Sequence, residues 1–114
     1  MVIPLTKIIW SGPAIRELEA ALDFIALDNP EVADRLGRAI HQAVGRLRAF
    51  PESARMVPEL ENPRIREVVH GPFRVVYEVR EDLVEILAAV RSEQDSDFEE
   101  IAARGSRKAP SLRN

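Results

Sequence analysis

The sequence predicts an α+β fold in the order β-α-α-β-β-β, followed by a short C-terminal helix, and three observations carry that expectation. Residues 73–79 alternate apolar and partly charged side chains with the period of a half-buried strand. Residues 15–25 and 33–47 instead repeat their apolar side chains at helical spacing. The joints are very short, Asn29-Pro30 between the helices and Glu81-Asp82 between the last two strands.

Lys7-Ile8-Ile9-Trp10 is a β-like segment stopped by Ser11-Gly12-Pro13. Pro13 suits the first turn of a helix, where its missing N–H costs nothing, with Ser11 or Gly12 as the cap. Ile15, Leu18, Leu22 and Ile25 form one face of this helix, and Arg16, Glu17, Glu19 and Asp23 the other. Asn29 can cap a second helix that Pro30 opens, with Glu31 and Asp34 near its positive end. Ala33, Leu36, Ile40, Val44 and Leu47 form its apolar face, Arg46 and Arg48 lie near its C-terminal end, and Phe50-Pro51 stops it. So short a joint forces the pair into an antiparallel hairpin.

Residues 51–64 carry Pro51, Pro58 and Pro63 and read as a long loop. Ile65–His70 is the next strand, turned by Gly71-Pro72 into Phe73–Val79, after which Leu83–Val90 is rich in β-favouring residues. Ser96-Asp97-Phe98-Glu99 fits a capping box with Ser96 as cap. Residues 1–103 form one domain, and 104–114 a disordered basic tail without periodicity.

Pairing Arg80 with Leu83 sets Tyr77 opposite Ile86, Glu78 opposite Glu85, Val75 opposite Ala88, Arg74 opposite Ala89 and Phe73 opposite Val90. Phe73, Val75, Tyr77 and Val79 then face a core, while Arg74, Val76, Glu78 and Arg80 face outward. Arg91 falls diagonally from Arg74 on the outward face, about 7–8 Å away, close enough for two guanidinium groups to share an anion. The plainer reading makes both arginines solvated strand residues paired with carboxylates. Glu78 against Glu85 requires neutralisation by Arg80 or by a partner. Val76, Leu83 and Leu87 also point outward, so that face requires a cover. His70 sits at a turn and Tyr77 in the apolar row, positions that favour structural over catalytic roles.

Composition narrows the function. A chain of 114 residues, 46% hydrophobic, supports one core. No run of about 18 apolar residues crosses a bilayer and no secretory signal opens the chain, so the expected location is cytoplasmic. Absence of cysteine removes disulfides and thiolate chemistry, and two histidines disfavour a metal cluster, so neither metal nor cofactor is expected. Net charge is −3, and −7 once the basic tail from Arg104 is set aside, which argues against direct sequence-specific DNA binding by this chain alone. No internal repeat or glycine-rich phosphate loop is present.

Asn29-Pro30, Leu47-Arg48-Ala49-Phe50-Pro51, Ile65-Arg66-Glu67, Phe73–Val79 and Val84–Val90, in this order after Trp10, resemble the RelE/ParE superfamily of bacterial type II toxins over residues 7–98. That resemblance implies a small twisted antiparallel sheet packed on the helical hairpin, and a growth-inhibiting, plasmid-stabilising toxin neutralised by a cognate antitoxin, with a ribbon-helix-helix type expected. It leaves two activities. The ParE-like one poisons DNA gyrase without catalytic residues of its own, and the Asn29-Pro30 joint, the Phe50-Pro51 stop and the acidic balance favour it. The RelE-like one cleaves messenger RNA in the ribosome, and would use Arg74 and Arg91 as catalytic cations; where related nucleases carry His or Tyr, this chain reads Ser92-Glu93-Gln94-Asp95. An inactive, antitoxin-binding relative is the third reading. Trp10, Val76, Leu83, Leu87 and Arg74 are the expected antitoxin contacts.

Overall fold

The structure is a computed structural model that describes residues 5–108. Its elements are β1 (Lys7–Trp10), α1 (Gly12–Asp28), α2 (Pro30–Gly45), a 3-10 turn (Arg46–Arg48), β2 (Arg55–Met56), β3 (Ile65–His70), β4 (Phe73–Val79), β5 (Leu83–Arg91) and α3 (Phe98–Lys108). The fold class is the one the sequence predicts, and the helix caps are where local chemistry places them. Ser11 Oγ accepts from the Ala14 N–H at 3.2 Å. Asn29 closes α1 by donating to the Ile25 carbonyl at 2.9 Å, and its Oδ1 opens α2 by accepting from Val32 at 3.2 Å. One residue thus satisfies orphan groups of both helices. Where α1 crosses α2, Leu22 sits so close to Gly37 that a Cβ there would lie 3.1 Å from its Cδ1.

The sheet order is β1-β5-β4-β3-β2. Three of the pairings are antiparallel, but β1 lies parallel to β5, so the sheet is mixed rather than wholly antiparallel. The parallel contact gives β5 a neighbour on both edges, in keeping with its almost continuous apolar run. Inside the expected loop, Arg55 and Met56 pair with Glu67 and Arg66 to make β2, too short for any periodicity to announce. At the β3–β4 turn Gly71 takes φ of +55°, open to glycine at no steric cost. No other described residue adopts a positive φ. The β4–β5 turn therefore avoids primed geometry, Arg80 N–H closing it on the Leu83 carbonyl at 2.8 Å.

The register of β4 on β5 is as expected at Tyr77–Ile86 and Glu78–Glu85, and then slips. A bulge leaves Leu87 without a partner on β4 and pairs Val76 with Ala88, Val75 with Ala89, Arg74 with Val90 and Phe73 with Arg91. One inserted residue exchanges the faces of everything beyond it. Arg91 therefore shares the face of Phe73, toward the helices, and Arg74 lies on the opposite face. The expected Arg74–Arg91 couple does not form.

Both faces of the sheet are covered. On one, Leu18, Ile40, Val44 and Leu47 pack against Phe73, Val75, Tyr77 and Ile86. On the other, Val57, Leu60, Phe98 and Ile101 pack against Val76, Leu87, Ala88 and Val90. The predicted outward apolar face does need a cover, and the chain supplies it from α3 and residues 57–60. Val76 and Leu87, expected to be exposed, are fully buried.

The expected cap of α3 moves by one residue: Asp97 Oδ1 accepts from the Glu100 N–H at 3.1 Å. The helix also runs to Lys108, past the expected tail boundary at Arg104. Arg104 is fastened to its surroundings, donating to the Leu87 carbonyl at 2.8 Å and pairing with Glu17 at 3.0 Å. The Gly105 carbonyl accepts from Arg80 at 3.1 Å. The remainder of the expected tail, 109–114, lies outside the described residues.

Candidate functional site

Arg74, the strongest site candidate in the sequence, stands at the centre of a charged cluster on the second face. Its Nη1 and Nη2 donate to both oxygens of Glu59, at 3.0 and 2.7 Å, and its Nε to Glu67 at 2.7 Å. The Phe98 ring lies 4.3 Å from its guanidinium carbon, a cation–π contact from the first residue of α3. Glu67 is fully buried and receives a second arginine, Arg55, at 2.6 Å, the residue β2 places opposite it. The hydrogen bonds from Arg74, opposed by burial, hold the Glu59 carboxyl below its ordinary range. The same bonds, against desolvation and with help from Glu67, stabilise the charged form of Arg74. A guanidinium with fork and Nε both on carboxylates has no edge free for a phosphate. Glu59 and Glu67, the partners that decide this, stand in a loop and a strand with no spacing to connect them to Arg74 in sequence.

Arg91 lies on the other face, at the end of β5. It pairs with Glu93 at 2.9 Å and its N–H donates to Gln94 Oε1 at 3.1 Å. With Glu17, Ala20, Ala21, Phe24, Val90 and Gln94 it lines an open groove of about 630 Å³ between α1 and β5. Phe24 and Leu27, 68% and 85% exposed, project from α1 near this groove's side of the hairpin. Neither belongs to the apolar stripe of α1, so periodicity alone passes over them. Glu17 Oε1 accepts the Ala89 N–H at 3.0 Å, closing β5 where β1 no longer accompanies it.

The other expected residues scatter. Trp10 is half-buried at the end of β1, its ring 5.0 Å from that of His41 and packed on the first core. Leu83 is half-buried at the start of β5 beside Lys7. Tyr77 donates its hydroxyl to the Pro51 carbonyl at 2.8 Å, and burial pushes its phenol up to about 12. His70 ends β3 opposite Phe73. The Glu78–Glu85 repulsion is relieved as expected by Arg80, which donates to Glu85 at 2.7 Å and to Glu78 at 3.4 Å. Among the described residues no three acidic or histidine side chains converge as a metal site, and no helix is long and apolar enough to cross a membrane.

The sequence profile of the ParE toxin of the type II toxin–antitoxin system parDE matches residues 8–96. Among solved structures, a chain from the chromosomal ParDE toxin–antitoxin system of P. aeruginosa superposes with a TM-score of 0.63 at 24% identity. The match covers 76% of this chain and 96% of that one. No curated protein matches.

Proposed function

The chain belongs to the ParE toxin family of type II toxin–antitoxin systems, and from that premise we propose that it acts by binding rather than by catalysis, inhibiting DNA gyrase until a cognate antitoxin masks it. The observation that carries this reading is the engagement of Arg74. Ribonuclease chemistry on this sheet needs a cation for phosphorane-like charge beside an acid and a base. Arg74 is spent on Glu59 and Glu67, and Arg91 lies across the sheet from it. The phenol of Tyr77 is buried and bonded to a carbonyl. None of the residues the sequence offers for ribose chemistry, Arg74, Arg91 and Tyr77, is arranged for it.

The antitoxin reading shifts with the burial of Val76 and Leu87. An amphipathic segment, from an antitoxin of the ribbon-helix-helix type, fits the exposed side of α1, where Phe24, Leu27 and the groove toward Val90 offer apolar area. Trp10 and Leu83 remain accessible in part, whereas Arg74 is reachable only at its edge.

The test is DNA supercoiling by purified gyrase in the presence of the folded chain. Inhibition relieved by the antitoxin supports the proposal. Full supercoiling at excess protein, with cleavage of messenger RNA on translating ribosomes, would transfer the chain to the endonuclease reading.

A further inference from the structure

Charge is divided unevenly over the helical hairpin. Between Gly12 and Asp28, α1 has four acids and one arginine, α2 has two acids and two arginines, and the ten residues after it, 46–55, have three arginines and a single acid, Glu52. On this basic side Arg38 is paired with Asp34 and Arg55 with Glu67. Arg35, Arg46 and Arg48 have no ion-pair partner among the described residues, although nearly every other arginine of the fold has a carboxylate or carbonyl. Large apolar side chains stand exposed nearby, Phe50 two residues after the 3-10 turn and Val69 on β3. Val69 borders a groove of about 290 Å³ lined also by Arg46, Ser53, Arg55 and Glu67, the last two paired with each other. Ser53 continues it into the depression around Phe50.

We infer that the 3-10 turn with its exposed, unpaired Arg46 and Arg48, together with Phe50 and the neighbouring Val69, is where the chain docks on its target, and that the surface it fits is an acidic patch of a protein. The inference rests on the gyrase reading and adds the contact surface to it. Arginine with exposed aromatic and aliphatic anchors is the composition of a protein–protein hot spot. A phosphate backbone asks for a broad basic field without apolar anchors, and this chain is acidic as a whole. Unpaired arginines also steer encounter with an acidic partner, an effect that weakens with salt. These residues lie on the 3-10 turn, the segment after it and β3, away from the Phe24 groove on α1, so target and antitoxin contacts fall on different parts of the molecule.

The test compares wild type with Arg46→Glu/Arg48→Glu and with Phe50→Ser in the gyrase supercoiling assay, with thermal melts to establish folding and plasmid DNA alone as a second ligand. The expected result is a tenfold or larger rise in the concentration for half-inhibition, with unchanged melting. Should the glutamate pair fail to fold, Arg46→Gln/Arg48→Gln serves, with at least a threefold rise expected. Variants that inhibit as wild type does overturn this inference and leave the gyrase reading standing. Wild type that fails to inhibit gyrase overturns both. Tight plasmid binding by wild type that the charge variants abolish shows a nucleic-acid face and overturns the inference.

Discussion

Arg74 touches Glu59, Glu67 and Phe98, three residues from a loop, a strand and a helix, so its removal is felt as lost folding rather than lost chemistry. Arg74→Ala leaves buried Glu67 with Arg55 alone. Breaking a buried pair from one side costs about 3–5 kcal/mol, and chemical denaturation of the variant is expected to show a loss of this order. A stable variant stripped only of toxicity would contradict the structural role. Tyr77 makes a second residue-scale prediction. Its phenol is pushed up to about 12 in the folded chain, against an ordinary value of about 10. A raised acid contributes stability that is complete below about pH 10 and is lost as pH rises through about 12. Tyr77→Phe, lacking the bond to Pro51, is expected to be about 1 kcal/mol less stable at neutral pH. That gap narrows and reverses in alkali. A gap constant to pH 12 would count against the buried phenol.

The elements differ in how plainly the sequence announces them. Asn29-Pro30 and Ser11 are legible because capping is decided within three residues, and the β4–β5 hairpin because its strands are neighbours. The bulge at Leu87 is not, since it depends on what surrounds the inserted residue: Leu87 enters the second core, while its carbonyl accepts from Arg104 on α3. That slip sends Arg91 to the helical face and dissolves the expected arginine couple. The cap of α3 is local, Asp97 accepting from Glu100, whereas the part of the helix beyond Arg104 is held by long-range contacts of Arg104 with Glu17 and Leu87 and of Gly105 with Arg80. Burial of α3 rests on Phe98 and Ile101, with Arg104 helped toward its charged form by Glu17 and Glu100 although burial opposes it. Ile101→Ala is expected to cost about 2–5 kcal/mol, with hydrogen exchange rising first along α3. Protection lost uniformly across the molecule would show α3 to be no separate unit.

For the whole molecule, order and charge matter more than any single motif. The arrangement of strand, helical hairpin and sheet was readable from periodicity and short joints, and it is the level at which the family match holds over residues 8–96. The site is less readable, because the sequence allows Arg74 either a shared anion with Arg91 or a pairing with carboxylates, and only the fold brings Glu59 and Glu67 to it. Because both faces of the sheet are covered, the surfaces proposed for partner contact lie on the helical hairpin and its flanks. On the proposed function the toxin works by occupancy and not by turnover. Titration of the folded chain into a fixed amount of gyrase separates the two: inhibition of supercoiling should rise with the protein-to-gyrase ratio and level off once the enzyme is saturated, with RNA left intact. Undiminished supercoiling at large excess, or RNA cut by substoichiometric protein, would contradict it.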